Sequence, residues 1–252
     1  HAQPTYTCYR AVGPITPDGT LNESTWQHAA ATGNAVILDS TTPAPEPMTV
    51  QMVWDDDNLY LAFTVADSDV YSTINTRDDA TWHQDNVEFF AWLQDPIPGD
   101  PDHDYVEYEW TPRAYIWDGL LDGALDPMDG YSSAPQWNST GLQVGATIDG
   151  TANDDSDTDT GFVVEAAVPW EDIYYHSPGN IPTDGTQIRM NVCRIGWDCP
   201  TTPQEGSDAK GADGTDVYYT WTPLTGRSFH QPESFGTAVF STDPVPEPAS
   251  LV

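Results

Sequence analysis

Apolar and polar residues alternate along this chain in short runs. Met48 to Trp54 (MTVQMVW) and Leu59 to Val65 (LYLAFTV) flank the acidic turn Asp55-Asp56-Asp57-Asn58. Two alternating runs around a turn-forming tetrapeptide predict a β-hairpin. A third run, Asn86 to Leu93, follows a polar loop that ends in Trp82-His83-Gln84-Asp85. Further strands are expected over Tyr105 to Thr111, Ala114 to Asp118, Leu142 to Ile148, Phe162 to Val168, Gln187 to Ile195, Val217 to Thr222 and Thr237 to Phe240, with Thr5 to Ala11 as an edge strand. Helical signal is confined to Glu23 to Ala31, with Asn22 as N-cap, and to a single turn at Pro169 to Asp172. Thr41 to Pro47 is proline-rich and reads as loop. Short strands broken by Gly, Pro and Asp clusters, without intervening helices, predict an all-β fold. The expected form is an antiparallel β-sandwich, jelly-roll or immunoglobulin-like, with one or two short helices.

Charge narrows the functions open to such a fold. The 252 residues carry 40 acidic against 7 basic side chains, a net charge of −33, and Lys210 is the sole lysine. Nucleic acid and anionic membranes would be repelled, so neither is an expected partner. A hydrophobic content of 38% with 10 Trp and 12 Tyr still supplies a core, so the chain is not a disordered acidic polymer. Aspartate dominates the acids. It favours turns and offers compact hard oxygens, which makes calcium the natural counter-ion, alongside the simpler reading of a solvated acidic surface. The alternating sets Asp154, Asp155, Asp157, Asp159 and Asp100, Asp102, Asp104 are the candidate calcium ligands, although neither completes an EF-hand loop. Cys8, Cys193 and Cys199 fit an extracytoplasmic protein with one disulfide, either Cys193 to Cys199 or Cys8 to Cys193. No run of about 20 apolar residues is present, and a start at His1 without a leader reads as mature numbering.

Trp82 stands just before a strand at the end of a charged loop, poorly placed for a core and well placed to offer a flat apolar face to a ligand. The surrounding residues resemble a known family. W-D-x-x-x-L-Y-L-A-F-x-V-x-D from Trp54 and W-x-Q-D-x-V-E-x-F from Trp82 are similar to segments of the family 9 carbohydrate-binding modules. So are PITPDGTLNESTW (Pro14 to Trp26), GFVVEAAVPW (Gly161 to Trp170) and SFHQPESFGTAVF (Ser228 to Phe240), in the family's order, spanning roughly residues 9 to 241. The resemblance implies a β-sandwich that grips a terminal sugar ring between two aromatics, here Trp82 and Phe229. Apolar sugar faces stack on rings, and the hydroxyls at the rim then need polar partners. Asp67 falls where the family has a sugar-binding acid, and Glu109, Arg77, Gln84 and Arg227 are the other candidates. Departures are a Phe for one clamp Trp, Glu109 where the family has arginine, and Gly226-Arg227 where it has asparagines. The family also carries structural calcium.

Val245-Pro246-Glu247-Pro248-Ala249-Ser250 resembles the bacterial PEP-CTERM sorting motif. That likeness implies handling by envelope sorting machinery and a place in the envelope or extracellular matrix of a Gram-negative bacterium. The domain reading is an N-terminal segment over 1–13, a module-like sandwich over 14–241, and a proline-rich sorting tail over 242–252. No H-E-x-x-H, G-x-S-x-G or C-x-x-C is present. Glu88, Glu107, Glu109 and Glu165 lie in predicted strands, where alternation turns them outward. The expected function is therefore a secreted, calcium-stabilised, non-catalytic protein that binds a polysaccharide or oligosaccharide. One alternative is a structural matrix protein that self-associates or binds a matrix partner. Another is a copper-dependent oxidative enzyme using His1 with a second ligand among His28, His83, His103, His176 and His230.

Overall fold

The computed structural model describes residues 3–92, 105–121, 137–174, 177–202, 210–226 and 228–247. Among them are twelve strands: β1 (Thr5–Arg10), β2 (Val36–Ile37), β3 (Met48–Trp54), β4 (Asn58–Ala66), β5 (Asn86–Trp92), β6 (Tyr105–Trp110), β7 (Ile116–Leu121), β8 (Gln143–Asp149), β9 (Gly161–Pro169), β10 (Gln187–Gly196), β11 (Val217–Thr220) and β12 (Gly236–Pro244). Two short helices, α1 (Ser24–His28) and α2 (Trp170–Ile173), complete the regular structure. Hydrogen bonding orders the strands β7-β6-β5-β10-β12-β1-β3-β4-β9-β8, with β11 and β2 joined at β10. Along this path β4 and β6 are far apart, yet Phe63 and Trp110 meet ring to ring at 5.8 Å. The sheet must therefore fold over on itself, which makes it the all-β sandwich the alternation predicts. Phe63, Val164, Phe89, Tyr108, Trp110, Met190 and Phe240 fill one core from both layers.

Three expectations are corrected here. β1 is no edge strand: it runs parallel between β12 and β3, so the sandwich is mixed rather than wholly antiparallel. Its buried residues Tyr6 and Cys8 face the central core, which an edge position would not require. α1 is one turn, capped by Glu23 rather than Asn22 and without a side-chain cap bond. The Gln51 side chain ends it by donating to the carbonyls of Trp26 and Ala29, both at 2.6 Å. β12 continues past Ser241 to Pro244, and Val245 bonds Arg10 and is buried, so the packed domain outlasts the expected boundary. The Asp55 turn is formed as expected, with Asp55 Oδ1 accepting from the backbone of Asp57 and Asn58.

Both layers carry a second coat on their outer faces. Segment 11–29 lies over β3, β4 and β9 and buries Ile15 and Trp26 against Val53, Tyr60 and Ala167. Glu165 anchors it: its carboxylate accepts from Trp26 Nε1 (2.7 Å) and from the backbone of Asp18, Gly19 and Thr20. The approach is close enough to need glycine, because a Cβ on Gly19, which has φ +81°, would stand 2.5 Å from the Ala146 backbone. Glu165 is thus buried, and the expectation that it faces outward fails. Its strand parity does point away from the core, but that face is covered.

Candidate functional site

The outer face of β5, β6, β7 and β10 has the more unusual coat. Alternation sends Val87, Phe89 and Ala91 of β5 and Val106, Tyr108 and Trp110 of β6 into the central core. The intervening residues, Asn86, Glu88 and Phe90 on β5 with Tyr105, Glu107 and Glu109 on β6, point the other way. Register places Glu88 opposite Glu109 and Phe90 opposite Glu107, then Glu109 opposite Trp117 and Glu107 opposite Gly119 on β7. Loops bring Tyr71, Trp82, Trp197, Cys199, Leu224, Phe229 and Phe235 over this face to form a second cluster. Consequently Glu88, Glu107 and Glu109 are fully buried, against the expectation that they face solvent. Their parity does point away from the central core, and the coat of loops buries that face.

Trp82 is held firmly while its ring stays partly open. It sits in a single 3-10 turn, Thr81–His83, whose flanking Thr81, Gln84 and Asp85 are completely buried. Thr81 Oγ1 donates to Glu109 Oε2, and the Trp82 carbonyl accepts from Trp197 Nε1 at 3.0 Å. Asp85 accepts from the Tyr71 and Trp197 backbones at 2.6 and 2.8 Å. The indole meets Trp117 edge to face at 6.5 Å. A ring fixed in this way loses little conformational entropy on binding. Phe229, from the far end of the chain, joins the same cluster against Phe90 (6.4 Å) and Tyr218 (5.9 Å). It is only 6% exposed, so it forms part of the wall of the site, while Trp82 presents the accessible face.

The three glutamates meet no lysine or arginine among the described residues. Glu109 accepts from Thr81 and from Asn86 Nδ2 (2.8 Å), and Glu88 from Asn86 Nδ2 (3.3 Å). Desolvation pushes Glu109 up to about 7 despite these donors. Burial, reinforced by the charge of Glu109, drives Glu88 and Glu107 well above the usual carboxylate range. His230 Nδ1 lies 3.8 Å from Glu107 Oε2, but burial lowers its pKa to about 4, so it stays neutral.

The folded state thus holds more protons than the unfolded chain, whose glutamates titrate near their ordinary value. Stability from these groups is complete below that value and declines as pH rises through the folded values. The denaturation midpoint is expected to fall between about pH 5 and about pH 8. Repulsion from the net charge of −33 acts in the same direction, but about 1 M salt screens it and leaves buried groups largely unaffected. A midpoint that holds or rises over that range in such salt would contradict the account.

The other expected site residues lie elsewhere or are already engaged. Asp67 is buried and paired with Arg194 Nη2 at 2.6 Å, and Asp85 hydrogen-bonds it. Burial is the largest influence on Asp67, raising it to about 6 against the opposing pull of Arg194. Gln84 is fully buried, accepting from the Thr73 and Ile74 backbones and donating to Thr73 Oγ1. Arg77 pairs with Asp118 and Asn138. Arg227 lies outside the described residues, as do His1 and the Asp100, Asp102 and Asp104 set. The set Asp154, Asp155, Asp157 and Asp159 does not converge. Asp159 turns inward to the Val70 and Thr151 backbones, and Asp154 closes a turn onto Ser156. No group of three or more His, Cys, Asp or Glu among the described residues is arranged to hold a metal ion.

The expected disulfide is likewise not formed. Cys8, Cys193 and Cys199 are buried free thiols, Cys8 in the central core and the other two in the outer cluster. Extended β10 carries the chain about 10 Å from Cys193 to Gly196 before it can turn towards Cys199.

The chain is thus an all-β sandwich whose outer β5–β6–β7–β10 face is covered by aromatic-bearing loops. Residues 17–109 match the family model described as carbohydrate family 9 binding domain-like, so the resemblance read from the sequence holds over that stretch. Among solved structures, a candidate carbohydrate-binding protein from Bacteroides uniformis superposes with a TM-score of 0.66 at 16% identity, covering 95% of this chain and 100% of that one. A family 9 module from Caldicellulosiruptor kristjanssonii in complex with cellotriose gives 0.57 at 16% identity, with 98% and 97% covered. A family 9 module from the same organism in complex with glucose gives 0.53 at 16%, with 94% and 96% covered. At these identities the likeness shows a shared fold. No curated protein matches the chain.

Proposed function

We infer that this protein binds a carbohydrate without catalysing its conversion, a sugar ring stacking on the accessible face of Trp82. One observation carries the reading. Trp82 and Phe229, distant in sequence, enter a single aromatic cluster laid over Glu88, Glu107 and Glu109. A flat apolar ring held at the surface suits a pyranose, which has apolar faces that stack on aromatic side chains. The solved family 9 modules of this fold, in complex with cellotriose and glucose, support the same ligand class. Arg194 and Asp67 fall outside this reading, since they are buried and paired with each other. A glycan array probed with the intact chain tests it: selective retention on a subset of saccharides is expected, and uniform absence of signal would remove the carbohydrate role.

A further inference from the structure

We propose that the saccharide taken at Trp82 is anionic, its acidic group met at the surface by Lys210 and Arg113. The proposal rests on the carbohydrate-binding reading and narrows its ligand class. Three loops meet at the end of the sheet where β5 begins at Asn86 and where β6 and β10 end. They are the Trp82 turn, the β6–β7 hairpin tip over 111–115 and the segment that follows β10. The Asp78 N–H donates to the Ile116 carbonyl, and Trp82 meets Trp117 edge to face, so the turn lies beside the hairpin that carries Arg113. On the β10 side, the Gly211 N–H donates to the His83 carbonyl at 2.9 Å. Gly211 packs so closely on Trp197 that a Cβ there would collide with that side chain, which fixes the approach of the loop. Lys210 and Trp82 thus each stand one residue from a single hydrogen bond. Lys210 Nζ lies 5.7 Å from the centre of the Trp197 ring, whose Nε1 bonds the Trp82 carbonyl.

The distribution of positive charge decides the ligand class. The whole chain has seven basic residues against 40 acidic ones. Among the described residues, Arg194 is buried, and Arg10, Arg77 and Arg189 are half-buried on Asp56, Asp118 and the Glu233 carbonyl. Only Lys210 and Arg113 are exposed basic residues in that set, and both flank the Trp82 turn. Lys210 pairs with Asp213 at 2.6 Å, but Asp213 is 86% exposed, and surface pairs of this kind are weak enough to yield to a bound anion. A neutral pyranose needs no cation at its rim, since abundant acidic side chains would serve its hydroxyls as well. Lysine and arginine only donate, and they match an acceptor-only carboxylate or sulfate through charge-assisted bonds roughly twice as strong as neutral ones. At about 0.15 M salt the remote acids are screened beyond about 8 Å, while cations in contact with the ligand are not.

The test is calorimetric titration of the whole protein, in about 0.15 M salt, with four probes. These are galacturonate trimer, its methyl-esterified counterpart, sulfated cellotriose and cellotriose. At least one acidic trimer is expected to bind about tenfold or more tighter than its neutral counterpart, a difference of about 1.4 kcal/mol. The tighter of the two acidic trimers identifies the anion as carboxylate or sulfate. In the double variant Lys210→Met with Arg113→Met the preference should fall to within about threefold, whereas Lys210→Arg should keep it. Both variants should melt as the wild type does, because the replaced side chains are exposed. Asp213→Ala, which frees the ammonium, should tighten binding of the acidic trimer by about two- to fivefold. Neutral trimers binding as tightly as their acidic counterparts would overturn the proposal and leave the carbohydrate reading intact. A preference that survives the double variant would also overturn it. Silence with all four probes would overturn it together with the carbohydrate reading.

Discussion

Replacing Arg194 with methionine is expected to destabilise the protein by about 3–5 kcal/mol, the cost of leaving a buried charge without its partner. The guanidinium is 1% exposed and bridges the two layers of the sandwich: it reaches Asp67 at 2.6 Å, Glu46 at 3.3 Å and the Ala66 carbonyl at 3.1 Å. Its carbon lies 5.6 Å from the Tyr219 ring centre. Asp67→Asn is expected to lower the melting temperature as well, while leaving glycan affinity unchanged. The double variant, Asp67→Asn with Arg194→Met, should recover much of the loss, because an apolar side chain of similar length then replaces an ion pair. Thermal unfolding of the three variants, with glycan binding measured alongside, checks this. Loss of binding in a stably folded Asp67→Asn protein would restore Asp67 as a sugar ligand.

Trp82→Ala is expected to weaken glycan binding by at least about 30-fold, the scale of a central aromatic anchor contributing about 2 kcal/mol or more. Stability should change by no more than about 1 kcal/mol, since the ring is partly exposed. The bond from Trp197 Nε1 goes to the Trp82 carbonyl and survives the substitution, as does the anchoring of the turn through Thr81 and Asp85. Titration and melting of the same sample separate the two effects. Affinity within about twofold of the wild type would show that the indole contributes no binding face.

Most of the strand pattern was legible in the sequence because alternation fixes which side chains share a face, and burial of one face fixes the register. The hairpin β3–β4 and the paired β5 and β6 follow directly from it. What alternation does not encode is the third dimension beyond the two sheets. Glu88, Glu107, Glu109 and Glu165 have the parity of an outer face, yet loops from distant parts of the chain cover that face and bury them. Parallel pairing of β1 was hidden for a similar reason, since no local signal distinguishes an edge strand from one inserted between β12 and β3. Arg194 did leave a trace. It shares parity with the core residues Met190 and Val192, and a cation at a core position requires a buried anion. Which of the 40 acidic residues supplies that anion is set by packing, which brings Asp67 to it.

The Trp82 turn was legible as an aromatic set off by polar neighbours, but the roles of those neighbours were not. Gln84 looked like a hydroxyl-binding side chain because its local sequence is polar. In the folded chain its amide closes the 73–74 backbone, so it fixes the orientation of Trp82 and does not face a ligand. Residue type indicates what a group is able to bond. Its partners are set by packing.

The most direct measurement is a crystal structure of the intact protein soaked with an oligosaccharide it retains. The expected result is a pyranose ring within about 4 Å of the Trp82 indole. A sugar bound elsewhere, with Trp82 bare, would contradict the account.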